Sequence, residues 1–503
     1  MTVYYNFLQF FDNIAANITF EDHHEEAAMT NPKPLTLSPT RALPVDRAMR
    51  ESALRIYSET ANLPLISMHG HVDAAVFAEN KQFSNPADLL IVPDHYVCRM
   101  LYSQGVRPEE MGIPRTDGGQ TESNPRKIWK TFCANWKLFR ATPSRYWLES
   151  EFSQVFGVTE QPSAENADDL YDQISAVIES PGFRPQQLLD TFNIEKISTT
   201  DPASSDLTWQ KSIADQGLGQ RIVPTFRPDA VVYMDRNDWD KEIAGLGSAS
   251  NTDVSTYDGY LEALRERRLA FKSMGATASD HGHFYADTTP MDHAAASALY
   301  ARRFKGEEVT PKEVHAFAAN MLYRMAEMAC EDGLVMQIHP GVLRDHHRGI
   351  FEKHGQDKGF DIPFSVEYTS ALRPLLNAFG MEPNFRCILF TIDETVYSRE
   401  LAPIAGVYPS VRIGAPWWFI DSPVGMLRFF AAATETAGFY NMSGFVDDTR
   451  AYCSIPARHD LYRRISANYL SRLVGEGRLD EDDAVEVAVD LAYNLPKLAY
   501  AAR

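Results

Sequence analysis

The sequence predicts an α/β chain, a distorted (β/α)8 barrel of the TIM type with a helical insertion between its first and second strands. Three observations carry that expectation. Short apolar runs that end in polar or charged residues recur eight times along the chain. Helical patterns separate them, and strands alternating with helices predict a parallel sheet. One long interval, residues 72–193, breaks the rhythm and is rich in Trp, Phe and helical patterns.

In chain order the runs are 65–69, 195–201, 221–227, 274–280, 334–339, 387–393, 411–417 and 443–448. Their lengths suit parallel strands buried on both faces, which need no apolar–polar alternation. The segment 310–332 opens Thr-Pro-Lys-Glu, an N-cap followed by Pro at the first helical position, and carries Val314, Phe317, Met321 and Met325 near helical spacing. Residues 424–437 and 459–474 read the same way, with Gly438 and Gly475 as stops, and 480–501 reads as a terminal helix or helix pair. The division expected is an N-terminal extension over 1–34 that need not be ordered, the start of the barrel over 35–71, a helical inserted subdomain over 72–193, and the rest of the barrel with its C-terminal helices over 194–503. Residues 1–28 look detachable, as a tail or as the product of a start upstream of Met29.

A net charge of −20 argues against nucleic acid or an anionic membrane as partner. If the ligand is itself an anion, cations must be gathered locally, so arginines at the site matter. The cysteines, Cys98, Cys133, Cys330, Cys387 and Cys453, are odd in number and form no CxxC pair, which fits a reducing, cytoplasmic setting. No basic region precedes the apolar run near residues 7–11, and no stretch of about 18 uncharged apolar residues occurs, so neither a signal peptide nor a membrane span is expected.

The chemistry concentrates where the runs end. His69-Gly70-His71 follows the first run, and side chains two apart in an extended strand point the same way, so both imidazoles can reach one cation. His339 closes the fifth run and Asp448 the eighth. In a barrel all strand C-termini converge on one face. The expectation is therefore a mononuclear divalent metal, Zn²⁺ by donor type, held by His69, His71 and Asp448, with His339 as a fourth ligand or a hydrogen-bond donor to substrate. Asp280 closes the fourth run, and Arg227 and Arg450 stand at the third and eighth. Two arginines at one mouth suit a carboxylate, although each could instead pair with a nearby acid such as Asp229 or Asp447. Trp418 follows the seventh run and serves either as core or as a platform for a ligand. Asp94-His95-Tyr96 with Arg99 lies inside the insertion, and by itself would read as a surface loop.

Taken in order, these segments resemble the uronate isomerase (glucuronate isomerase) family of the amidohydrolase superfamily. The resemblance runs from about residue 63 to the C-terminus and rests on His69-Gly-His71, Asp94-His95-Tyr96, Thr199-Thr200-Asp201, Arg227-Pro-Asp229, Asp280-His281-Gly282, Gln337-Ile-His339, Trp417-Trp418-Phe419 with Asp421, and Asp448-Thr-Arg450. It implies an aldose–ketose isomerase that interconverts D-glucuronate with D-fructuronate, or D-galacturonate with D-tagaturonate. It further implies that His69, His71 and Asp448 hold the metal and that Arg227 grips the substrate carboxylate. His95 and Asp280 would then assist ring opening, Tyr96 would move a proton between C2 and C1, and His339, Trp418 and Arg450 would line the substrate. Because a free phenol titrates near 10, Tyr96 is expected to need a cation such as the metal or Arg450, and Asp448 is the second acid–base candidate. Family members often carry Asp two residues before the first histidine, where this chain has Ser67. A homo-oligomer is expected. The alternatives are a metal-dependent hydrolase or deaminase of the same superfamily, for which the sixth run offers no histidine and the fourth no lysine, and a non-catalytic binder of sugar acids.

Overall fold

The computed structural model describes residues 33–501, so what is expected of 1–32 lies outside the described residues. Among the described residues nine strands are present: β1 (Leu65–Ser67), β2 (Ile194–Pro202), β3 (Ile222–Arg227), β4 (Ala278–His281), β5 (Val335–Ile338), β6 (Val342–Leu343), β7 (Ile362–Pro363), β8 (Cys387–Leu389) and β9 (Val411–Ile413). Seven form one parallel sheet in the order β1-β2-β3-β4-β5-β8-β9, curled with helices packed outside it. β6 and β7 make a small antiparallel pair over the β5–β8 connection.

The eighth run, 443–448, is buried as expected but forms no strand. Its backbone leaves the extended region twice, at Gly444 (φ 81°) and Asp448 (φ 44°), and so cannot continue a ladder. A side chain at Gly444 would also strike Pro496, 2.4 Å away. The segment still bonds in both directions. Ser443 N donates to Ile413 O of β9, and Asp448 N donates to His69 O just beyond β1. The fourth run is shorter than expected as well, because Met274 caps the preceding helix and Gly275 turns at φ 93° before β4 begins.

Helix Pro311–Asp332 starts as expected on Thr310, whose hydroxyl accepts from Glu313 N while the Glu313 carboxylate accepts from Thr310 N. Such a cap contributes about 1 kcal/mol. Helices Pro423–Ala437 and Ile455–Gly475 follow, and Gly438 stops the first at φ 69°. Between β1 and β2 the chain is helical, and its apolar cluster around Trp129, Phe132, Phe139 and Phe152 continues onto Leu65 of β1, Ile194 and Ile197 of β2 and Ile222 of β3. Among the described residues no helix is long and apolar enough to cross a membrane.

Candidate active site

A cavity of about 970 Å³ opens where the strands end, and His71, His95, Tyr96, Arg227, His339, Trp418, Asp448 and Arg450 line it. His69 and Asp280, 2% and 0% exposed, lie directly beneath. The fold thus gathers all ten residues singled out in the sequence, drawn from both ends of the chain.

His69 and His71 leave β1 on the same side. His71 Nε2 stands 3.1 Å from Asp448 Oδ1, and His69 Nε2 stands 3.7 Å from the same oxygen. One ligand atom from each of the three lies within 4.8 Å of the others. His69 Nδ1 is 2.9 Å from Gln337 Oε1, which can only accept, so Nδ1 carries the proton and Nε2 keeps its lone pair. That Nε2 is buried with no hydrogen-bond partner. An orphaned imidazole nitrogen beside a second imidazole and a carboxylate fits a divalent metal of the Zn²⁺ kind. Burial lowers the pKa of His71 against the pull of Asp448, which favours the neutral ring a metal requires. Asp448 itself sits in the left-handed region, the strained backbone often found at functional positions.

Beside this trio, Asp280 is the hub of a second cluster. His339 Nε2 lies 2.7 Å from Asp280 Oδ1, and Arg227 Nη1 lies 3.3 Å from Asp280 Oδ2. Burial acts to raise the Asp280 pKa, but His339, His69 and Arg227 outweigh it and hold the carboxylate well below its usual range. Arg227 Nε donates to Asp229 Oδ2 at 2.8 Å. Both an acid two residues on and the hub acid therefore pair with Arg227, leaving chiefly Nη2 for a ligand. Asp229 is steadied in turn by Gly282 N. A Cβ at Gly282 would lie 2.5 Å from Arg227 Nη2 and 2.9 Å from His339 Cε1, so only glycine allows this approach.

Helix His95–Tyr102 brings the insertion to the cavity, and Asp94 caps it by accepting from Tyr96 N and Val97 N. His95 is thus the first residue of a helix, where the positive end of the dipole disfavours imidazolium. Burial, and then Arg450, bring its pKa down to about 4. Arg450 does not pair with Asp447. It bonds Asp357 at 3.1 Å and stands 3.4 Å from His95 Nε2, while Asp447 bonds His459. Tyr96 donates its hydroxyl proton to Asp421 Oδ1 at 2.7 Å and accepts from Phe419 N. Burial and the Asp421 charge raise the phenol well above its usual range. A cation that stands near Tyr96 is Arg458, 5.6 Å from the ring, where the sequence pointed to the metal or Arg450. Arg458 also bonds Asp421. Trp418 is half-buried, stacks on Phe419 and faces Arg344 at 5.7 Å.

Sequence reasoning missed Arg458, Asp357 and the orienting role of Gln337. Arg458 lies within a helix whose pattern gave no sign of an inward charge. Asp357 sits in an irregular loop, in the left-handed region at φ 60°. Gln337 stands inside a strand that reads as plain apolar core, and nothing local marks its side chain as the partner of His69.

The glucuronate isomerase family model matches residues 47–500. The chain is 50% identical to a uronate isomerase of Rhizobium meliloti, covering 92% of this chain and 99% of that protein. It is 48% identical to one of Xanthomonas campestris, covering 93% and 99%. Among solved structures, the glucuronate isomerase of Caulobacter crescentus superposes with a TM-score of 0.91 at 48% identity, over 93% of this chain and 97% of that one. The uronate isomerase of Thermotoga maritima gives 0.86 at 28% identity, over 92% and 99%. With a histidine pair, a strained aspartate and a partly buried arginine meeting in one cavity, and with relatives half identical over nearly their whole length, the chain belongs to the uronate isomerase family.

Proposed function

We propose that this protein is an aldose–ketose isomerase of hexuronates, interconverting D-glucuronate with D-fructuronate, D-galacturonate with D-tagaturonate, or both, through a cis-enediol. The observation that carries the reading is the meeting of Arg227 with His69, His71 and Asp448 at one cavity, in a chain half identical to proteins named uronate isomerase.

Several features support individual roles. Arg227 is a partly buried cation with Nη2 left over, suited to a substrate carboxylate. His95, neutral at physiological pH, and Asp280, ionised, are acceptors able to draw a hydroxyl proton during ring opening. Opposing forces act on Asp448, burial raising its pKa and the bond from His71 lowering it further, so it is ionised and able to take the C2 proton. Tyr96 keeps its proton and is the acid that returns one to C1. The O2 hydroxyl proton passes to O1 as the enediol forms and collapses, and the proton held by Asp448 returns to the phenolate, so no proton is gained or lost over the cycle. Trp418 and Arg450 wall the sugar, and His339, expected as a hydrogen-bond donor or a ligand, gives its Nε2 proton to Asp280 and so offers the Nδ1 lone pair to a sugar hydroxyl or to the metal. His69, His71 and Asp448 would hold a single Zn²⁺-like ion, which when bound supplies positive charge to a substrate oxygen.

On this reading the segment 442–449 closes the barrel as its eighth stave, and 72–193 is a subdomain that carries His95 and Tyr96 over the strand ends. A cytoplasmic, homo-oligomeric enzyme belongs to the same proposal, and the free state of all five cysteines supports the reducing setting. The hydrolytic alternative has less support, because Asp393 at the sixth strand end is turned into a local bond network with Thr391 and Thr395. The test is direct. Purified protein is mixed separately with D-glucuronate and D-galacturonate, with and without chelator, and ketose formation is followed. Absence of ketose from both substrates, with metal supplied, sinks the proposal.

A further inference from the structure

A second cavity, of about 490 Å³, lies behind the first, below the N-terminal ends of β1 and β2. It falls within the size range of small-molecule sites. Leu63, Leu65, Phe183 and Phe192 supply apolar wall, and Glu151 stands among them. Glu151 is 2% exposed. Its carboxylate takes no hydrogen bond and no ion pair from any described residue. A carboxyl group so placed keeps its proton unless a cation pairs with it, because an unpaired buried charge is costly. Nothing in the isomerase chemistry uses it.

The charges around it explain what is missing. Burial and Asp94 both act against an ionised Glu151, and Arg458, the one cation that helps it, is already bonded to Asp421. Asp460 also lines the cavity, but Arg41 and Arg464 occupy it. Arg463 points its two terminal nitrogens at the carbonyls of Ala61, Leu63 and Pro64. Cys453, beside Glu151, is held protonated by burial. The unmet need at this wall is therefore a positive hydrogen-bond donor.

We propose that this rear cavity binds a small organic cation, a primary ammonium on a short apolar stem, with its charge on Glu151. The place of Glu151 in the chain gives such a site a route to the catalytic face. Helix Pro143–Ser150 leads straight into the π-turn Glu151–Val155, a feature frequent at functional sites. One turn before Glu151, Trp147 stacks under Arg458 at 3.7 Å. Arg458 bonds Asp421, which holds the Tyr96 hydroxyl, and Asp94 caps the helix that bears Tyr96. A cation on Glu151 would thus change the field at two groups that fix Tyr96.

The test uses the full chain, with n-butylammonium as probe and n-butanol as its neutral match, read by titration calorimetry. Saturable binding of n-butylammonium is expected. Glu151→Gln should weaken it by roughly tenfold or more, as loss of a charged hydrogen-bond partner does, while n-butanol binds no better to wild type than to the variant. In wild type the heat should also differ between buffers of different ionisation enthalpy, because burial favours the protonated Glu151 and its proton leaves as the cation pairs; this arm needs no variant. Absence of saturable binding, equal binding of the ammonium to wild type and Glu151→Gln, or binding without proton release each overturns the proposal.

Discussion

One methyl group tests the geometry on which the site depends. Gly282 has no space for a side chain: an added Cβ would lie 2.5 Å from Arg227 Nη2, 2.8 Å from Asp229 Oδ2 and 2.9 Å from His339 Cε1. Comfortable carbon contacts begin near 3.5 Å, so in Gly282→Ala the guanidinium must retreat by about 1 Å. A free arginine would do so at little cost. Here the guanidinium is pinned by Asp229 on Nε and by Asp280 on Nη1, and Asp229 is itself bonded to Gly282 N. The backbone at Gly282 is not in the left-handed region, so alanine brings steric pressure without backbone strain. Overpacking of this kind costs about 1–3 kcal/mol of stability, which in a chain of this size is a few degrees of melting temperature. The loss in catalysis should be larger, because misplacing a positioning group by about 1 Å lowers rate by about 10²-fold. Gly282→Ala is therefore expected to melt within a few degrees of wild type while kcat/KM for the preferred hexuronate falls about a hundredfold. A folded variant with kcat/KM within about twofold of wild type would refute the claim that Arg227 and His339 are positioned by this contact.

Three further outcomes are expected. Tyr96→Phe removes the proton given to Asp421 and should lower kcat by about 10²–10⁴-fold with KM little changed, and equal losses in both would contradict a proton-transfer role. Arg227→Lys keeps the charge but cannot serve Asp229, Asp280 and a carboxylate together, so steady-state kinetics should show KM rising more than kcat falls. His95 and His283 both have pKa values lowered to about 4, chiefly by burial. Unfolding lets each take up a proton between about pH 6.5 and 4, so the stability they confer is present above pH 6.5 and is lost as pH falls through that window. Urea unfolding should show a slope approaching about 1.4 kcal/mol per pH unit for each of the two, and stability that stays flat from pH 6.5 to 4.5 contradicts their burial as neutral rings.

Much of the candidate site was legible because the signals were local. A strand side chain two residues from another shares its face, so His69 and His71 could be paired on sight. Polar residues ending apolar runs pointed to one mouth, which brought Arg227, Asp280, His339 and Asp448 into a single list. The eighth run misled for a physical reason: burial was read correctly from its composition, but Gly444 and Asp448 turn the backbone through positive φ, and an apolar run carries no mark of that. The partner of Arg450 was not legible, because Asp447, the alternative partner, is near in sequence while Asp357, which bonds it, is near only in space.

What the sequence determined by itself is the kind of chain this is and which side chains face one mouth, since hydrophobic period and residue order are properties of short stretches. What only the tertiary structure decided is partnership. Gln337 proves to be the group that orients His69, and Arg458 the cation behind Tyr96. Asp280 proves to be the hub between His339 and Arg227. Such pairings join residues tens to hundreds of positions apart, and their energies depend on distances of about 3 Å that arise only once the whole core has packed.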